Sequence, residues 1–188
     1  MTKREHILNA ALAVFLEKGG TKATFGDIAK AAGISRPTLY ASFDDKDALL
    51  VAVIAFASSA QIDAAQEALM KASSLDQKLA IFNEIMVMAP FRLIQQSNDA
   101  ADILSGHNAI ARDAILNAMD ARAIFLKDML MPYGDGMDEA AIHAIALTYT
   151  KAVSGLKNAV RTEDELQEAV DGQSAMLQIF LRQSNGDT

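Results

Sequence analysis

The chain has 188 residues, a formal net charge of −7 and no cysteine, which excludes disulfides and thiol chemistry. It is 51% hydrophobic but only 6% aromatic, with 3 prolines and 10 glycines. A core of that make-up is aliphatic and alanine-rich, suits packed helices and leaves too few turn residues for a β-protein.

Taken in chain order, Ile7, Leu8, Ala11, Leu12 and Phe15 recur at helical spacing and predict an amphipathic helix over 3–18, with Gly19 expected to stop it. Thr24-Phe25-Gly26-Asp27 has the form of a capping box and opens a short helix that turns Phe25, Ile28, Ala29 and Ala32 inward. Gly33 ends it. Ser35 caps the next helix, and Pro37 lies in its first turn, where the missing N–H does no harm. There Leu39 faces in, while Arg36, Thr38 and Ser42 face out. Asp45 caps a helix running to about Ala72. Further helices are expected over 75–89, ended by Pro90, and over 91–104, 107–131, 137–161 and 163–183. The reading is an all-α fold of three short helices followed by about six longer ones, without strand pattern, repeat or low-complexity segment.

Charge is uneven along the chain. Residues 1–50 hold 7 bases against 6 acids, a net +1, and the remainder carries −8. The global charge opposes nucleic-acid binding, whereas the local charge at the N-terminus permits it. The apolar run 7–16 is interrupted by Asn9 and followed by Glu17-Lys18, so it does not read as a signal core. The longest apolar run, 48–57, is about half a membrane span. A cytoplasmic protein with no membrane partner is expected.

Two short helices joined at Gly33-Ile34-Ser35, the second with a polar outer face, predict a helix-turn-helix. In that motif the second helix enters the major groove of DNA and its first residues reach base edges. Arg36 can fork onto guanine, and Pro37 and the Thr38 methyl can touch a thymine methyl. Tyr40, Ser42 and Lys46 offer donors to phosphate oxygens, beside the N–H groups that open the following helix. The competing reading from spacing alone is a polar-faced surface helix in an ordinary bundle.

The texts ILNAALAVFLEKGG, ATFGDIAKAAGIS and RPTLYASFDDKDALLVAVI, over residues 7–54, resemble the N-terminal domain of the TetR family of transcriptional regulators. The resemblance implies that Ser35, Arg36, Pro37 and Thr38 form the DNA-facing start of the recognition helix. It also implies that Tyr40, Lys46 and Thr24 contact phosphates. Gly20 stands where the family often has an aromatic residue, and Ala41 and Ser42 stand where it often has an aromatic residue or histidine. The domain division implied is 1–46 for DNA binding and 47–188 for ligand binding and dimerisation.

The predicted helix over 137–161 carries two stripes about 100° apart. One is aliphatic, with Ile142, Ile145, Tyr149, Val153, Leu156 and Val160. The other is small, with Ala141, Ala144, Thr148, Ala152, Gly155 and Ala159. One stripe serves the helix's own subunit and the other a homodimer partner, together with Leu177, Phe180 and Leu181 of the last helix. The central helices are rich in methionine and phenylalanine. An effector chamber there takes Phe56, Phe82, Met86, Phe91 and Met119 as walls, Tyr149 as polar handle and His107 at an adjustable loop. The competing reading is that these side chains are plain core. Arg92, Arg112 and Arg122 are candidates to meet an anionic ligand. His107 and His143 lack i, i+4 partners, so neither a metal nor another cofactor is expected.

The function these features imply is a ligand-responsive repressor that binds palindromic double-stranded operator DNA as a dimer and is released by a small, largely apolar effector. The rivals are an architectural DNA-binding protein without effector and a helical-bundle enzyme. The latter lacks a nucleophile–base cluster, a glycine-rich phosphate loop and metal spacing.

Overall fold

A computed structural model of the chain describes residues 1–96 and 109–184. Among the described residues every regular element is helical. The elements are α1 (Lys3–Lys22), α2 (Phe25–Ala31), α3 (Arg36–Tyr40), α4 (Lys46–Leu69), α5 (Leu75–Asn83), a π-helical turn (Glu84–Met88), α6 (Ala89–Gln95), α7 (Ala109–Leu130), a short 3-10 turn (Met131–Tyr133), α8 (Glu139–Leu156) and α9 (Glu163–Ser184). The helix expected over 91–104 is described only as α6, which ends at Gln95; the rest of that expected range from 97 on, and His107, lie outside the described residues.

The chain forms two compact units. One comprises Met1–Ser59 with Leu93–Ala118, the other Ala60–Arg92 with Met119–Thr188. Compactness divides the chain after Ser59, and the first unit recruits a second stretch. The start of α4 belongs to the first unit because its Leu49, Leu50 and Val53 are buried in the core of the first three helices.

The first unit's core gathers Ile7, Phe15, Ile28, Leu39, Phe43 and Leu49. Local chemistry fixes its frame. Thr2 caps α1 with a complete capping box to Glu5. Helical winding runs on to Lys22, but Gly19 leaves it with φ 75°, so the expected stop is a kink. Gly33, at φ 63°, provides the left-handed turn after α2.

The second unit's core gathers Phe82, Met86, Met88, Leu126, Leu130 and Ile142, closed by Leu166, Val170, Leu177 and Leu181 of α9. Helix α9 packs on α8, α5 and the π turn. Pro90 does not end the helix as expected. The Ala89 N–H reaches back five residues to the Glu84 carbonyl, so the wide π turn comes first and Pro90 falls in the opening turn of α6, where its missing N–H is harmless.

By length and hydropathy α4 is apolar enough to cross a membrane. Four of its apolar residues are buried within the protein, Leu49, Leu50 and Val53 in the first core and Ala65 in the second.

Candidate nucleic-acid interface and inner polar sites

Helix α3 has five residues, and Leu39 alone is buried. That one anchor seats the helix on the first core and leaves the rest of its surface outward. Ser35 caps it: its hydroxyl accepts from the Thr38 N–H at 3.2 Å and meets Thr38 Oγ1 at 2.8 Å. Pro37 sits in the first turn. Arg36, Pro37 and Tyr40 are exposed, Tyr40 to 56%. The Tyr40 ring leans on Phe25 with centroids 4.7 Å apart, which holds its hydroxyl out from the surface.

The guanidinium of Arg36 lies over Gly26, where the Cβ of any other residue would stand. Glycine at that point of α2 gives Arg36 its resting place. Thr24 caps α2, accepting from the Asp27 N–H at 3.2 Å and donating to Asp27 Oδ2 at 2.7 Å. Asp27 also takes Lys18 Nζ at 2.7 Å. The Lys18 hydrogen bond first, and those from Thr24 second, hold the Asp27 carboxyl down to about 2. Lys46 Nζ donates to the Thr21 carbonyl at 3.0 Å, tying the start of α4 to the end of α1. Ser42 donates to the Thr38 carbonyl at 3.2 Å. Lys46, Ser42 and Thr24 thus also carry internal hydrogen bonds, whereas Arg36, Pro37 and Tyr40 form an exposed outward row whose internal contacts are packing ones.

The residues expected to wall a chamber are dispersed between the units. Phe56 is half-buried against the first core. Phe82, Met86, Phe91 and Tyr149 are buried in the second core, and Met119 is half-buried. The Tyr149 hydroxyl, expected as a ligand handle, has partners inside the protein. It donates to Asn83 Oδ1 at 2.9 Å and lies 2.8 Å from Ser174 Oγ, while Asn83 Nδ2 donates to Ser174 Oγ at 2.9 Å. This closed triad joins α5, α8 and α9, and burial pushes the Tyr149 phenol up. Sequence reading missed Asn83 and Ser174. The signal available was a polar residue on the apolar line of each helix.

The arginines separate by partner. Arg92 pairs with Glu84 and, at 2.7 Å, with Glu163. Arg112 is exposed. Arg122 is largely buried: its Nη2 donates to Gln61 Oε1 at 2.6 Å, and its Nε is buried without an acceptor. Lys157, which sequence reading passed over, is half-buried and pushed down to about 8, first by burial and then by the Arg122 charge. Among the described residues no cluster of His, Cys, Asp and Glu is fit to hold a metal.

On α8 the aliphatic stripe turns inward, with Ile142, Tyr149 and Val153 buried. The small stripe turns outward: Ala144, Thr148 and Gly155 are exposed and Ala141 and Ala152 half-buried, while Ala159, also exposed, lies beyond the end of α8 at Leu156, short of the helix expected to 161. On α9, Leu177 and Leu181, expected at a dimer interface, are buried in their own unit's core in the single chain. They fall on the line of Leu166 and Val170, so the core claims them. The exposed apolar positions are Met176, Ile179 and Phe180. Between α8 and α9 runs an open apolar groove of about 410 Å³, lined by Ala144, Ile145, Thr148, Met176, Leu177 and Phe180 among others.

Comparison with known proteins bears on this geometry. Residues 7–53 match the model of a family described as bacterial regulatory proteins, tetR family. Over 46 residues the chain is 46% identical to the HTH-type transcriptional regulator AcrR of Shigella flexneri, a match spanning 24% of this chain and 21% of that relative's length. Among solved structures it is similar to a transcriptional regulator from Rhodococcus sp. RHA1, with TM-score 0.70 and 20% identity over 95% of this chain and 96% of that one. It is also similar to the transcriptional regulator FadR of Bacillus subtilis in complex with stearoyl-CoA, with TM-score 0.62 and 19% identity over 92% of this chain and 96% of that one. These structures share the fold across nearly the whole chain.

Proposed function

We propose that this chain, which belongs to the TetR family of bacterial regulatory proteins, is a cytoplasmic repressor that grips palindromic operator DNA as a homodimer and lets go when a small molecule binds its second unit. The observation that carries the reading is the exposed outward row of α3. One buried leucine anchors a helix whose Arg36, Pro37 and Tyr40 stay exposed. Arg36 reads a base, Pro37 and Thr38 touch thymine methyls, and Tyr40 and Lys46 hold phosphates, with Ser35, Ser42 and Thr24 beside them.

The dimer reading is supported by the small stripe of α8 and the groove it shares with α9, a face on which Met176, Ile179 and Phe180 are exposed. Two copies meeting there would present two recognition helices to one palindrome. The division of labour proposed is residues 1–46 for DNA and 47–188 for ligand and partner.

The effector reading is supported by a relative in fold, FadR, whose structure holds stearoyl-CoA. Helix α4 is the candidate relay. It carries Lys46 at one end and Gln61, the acceptor of Arg122, four turns on. A ligand that prefers one setting of α4 shifts the population away from the DNA-competent state. An architectural protein without effector would have no use for buried cations left without counter-charge. The test is a screen of small molecules against the protein bound to a duplex selected from a random pool. Release by a specific compound is expected, and a complex indifferent to every compound would leave the architectural reading.

A further inference from the structure

In the second unit two bridging cations have their carboxylates. Arg92 sits between Glu84 and Glu163, and Lys127 between Asp128 and Glu139. Arg122 and Lys157 have none among the described residues. Arg122 projects from α7 into the unit, where one Nη donates to the neutral amide oxygen of Gln61 and the buried Nε has no acceptor. Lys157 is the C-cap of α8, where its backbone N–H donates to the Gly155 carbonyl, and its ammonium has no hydrogen bond or ion pair among the described residues. Helix C-terminal carbonyls favour a cation there, but burial and the nearby guanidinium outweigh them, and both groups are pushed below their ordinary values.

The surroundings are polar by pattern. Thr150, Ser154 and Lys157 fall at i, i+4 and i+7 on one side of α8, beside the apolar line of Ile142, Ala146 and Val153. Thr150 is wholly buried and its hydroxyl has no partner. Burying one cation without an anion is costly, and placing two together costs more. An arrangement of that kind persists where something outside the chain supplies the negative charge. A guanidinium with Nε vacant beside an Nη offers the edge that takes an oxyanion through two parallel bonds, and an ammonium adds a point charge.

We propose that Arg122 and Lys157 together bind the anionic head of the effector, a carboxylate or a phosphate, with Gln61 holding the guanidinium in place. The inference rests on the reading that the second unit takes an effector. It narrows that effector from a largely apolar molecule to an acid with an apolar body, and it replaces Tyr149 as the polar handle.

The test uses the full chain at pH 7 and three amphiphiles of one chain length below their micelle concentrations: dodecanoate, dodecyl phosphate and dodecanol, titrated by calorimetry. At least one acid is expected to bind about tenfold or more tightly than the alcohol. The stronger of the two acids identifies the oxyanion. Arg122→Met and Lys157→Met are expected to abolish that preference while keeping DNA binding. Ligand-free Lys157→Met is expected to melt at a higher temperature, because its buried charge is gone. Should Arg122→Met fail to fold, Lys157→Met and Lys157→Gln decide alone. Acids and alcohol binding alike, no binding by any of the three, or a preference that survives in the Lys157 variants would overturn the anion site. Release of DNA by the alcohol would then leave the effector reading standing without it.

Discussion

At the scale of single residues, the proposed function assigns readout and grip to different side chains. Arg36 rests over Gly26 and must swing out to meet a base edge, which costs an exposed side chain only rotamer entropy. Arg36→Ala should therefore weaken the best DNA site by about 1–3 kcal/mol and relax the preference at one base pair. Lys46→Ala should weaken all sequences alike and lower the salt slope by about one. Titrations at several salt concentrations separate the two, and an unaltered base preference in Arg36→Ala would remove that residue from the readout. Acid stability is a second residue-scale matter. Asp27 is held down to about 2, chiefly by Lys18 and then by Thr24, whereas the unfolded carboxyl titrates near 3.8. The folded state thus binds fewer protons between those values, so the stabilisation is whole above about pH 4 and is lost as pH falls through about 2. Asp27→Asn should flatten that acid limb in a pH series of thermal melts. An acid limb identical to that of the unaltered protein would show that the Lys18–Asp27–Thr24 cluster is not felt.

At the scale of elements, the helices of the first unit were legible because each boundary has a local chemical cause. Thr24 with Asp27, Gly33, and Ser35 with Pro37 act within three residues of themselves, and the structure has α2 and α3 where those residues put them. Pro90 misled because its neighbours, not the proline, decide its fate: the π turn at Glu84–Met88 shifts the register so that Pro90 opens a helix. Tyr149 misled for a different reason. A tyrosine on an apolar face announces that a partner exists, but not whether that partner is a ligand or the protein, and here it is Asn83 on α5 and Ser174 on α9. Leu177 and Leu181 lie on the same amphipathic helix as Phe180, and sequence alone did not say which third of that face the unit's own core would take. The triad predicts that Tyr149→Phe leaves Asn83 Oδ1 buried without its donor and costs about 1–3 kcal/mol in denaturant unfolding. A variant as stable as the parent would show that the triad contributes nothing net. Helix α9 closes the second core through Leu166, Val170, Leu177 and Leu181. Truncation before Met176 removes two of these, so light scattering should report aggregation. A soluble, DNA-competent truncation would make the end of α9 dispensable.

At the scale of the whole molecule, the proposed regulator combines a DNA-reading unit, a unit that takes an acidic effector, and a face that recruits a second copy. The α8–α9 face supports the last part through its exposed small stripe, where a Cβ at Gly155 would meet nothing within 4 Å in the single chain. A bulky side chain at that point is harmless to the monomer and obstructive to a partner. Gly155→Trp should therefore sediment as a folded monomer and bind DNA weakly, whereas a variant that remains dimeric would move the interface elsewhere. The central claim, that α3 reads a palindrome from two copies at once, is tested most directly by selecting duplexes from a random pool with the purified protein. The account predicts enrichment of an inverted repeat, with affinity collapsing when one half-site is scrambled. A selected pool with no enriched sequence, or a lone half-site bound as tightly as the pair, would contradict it.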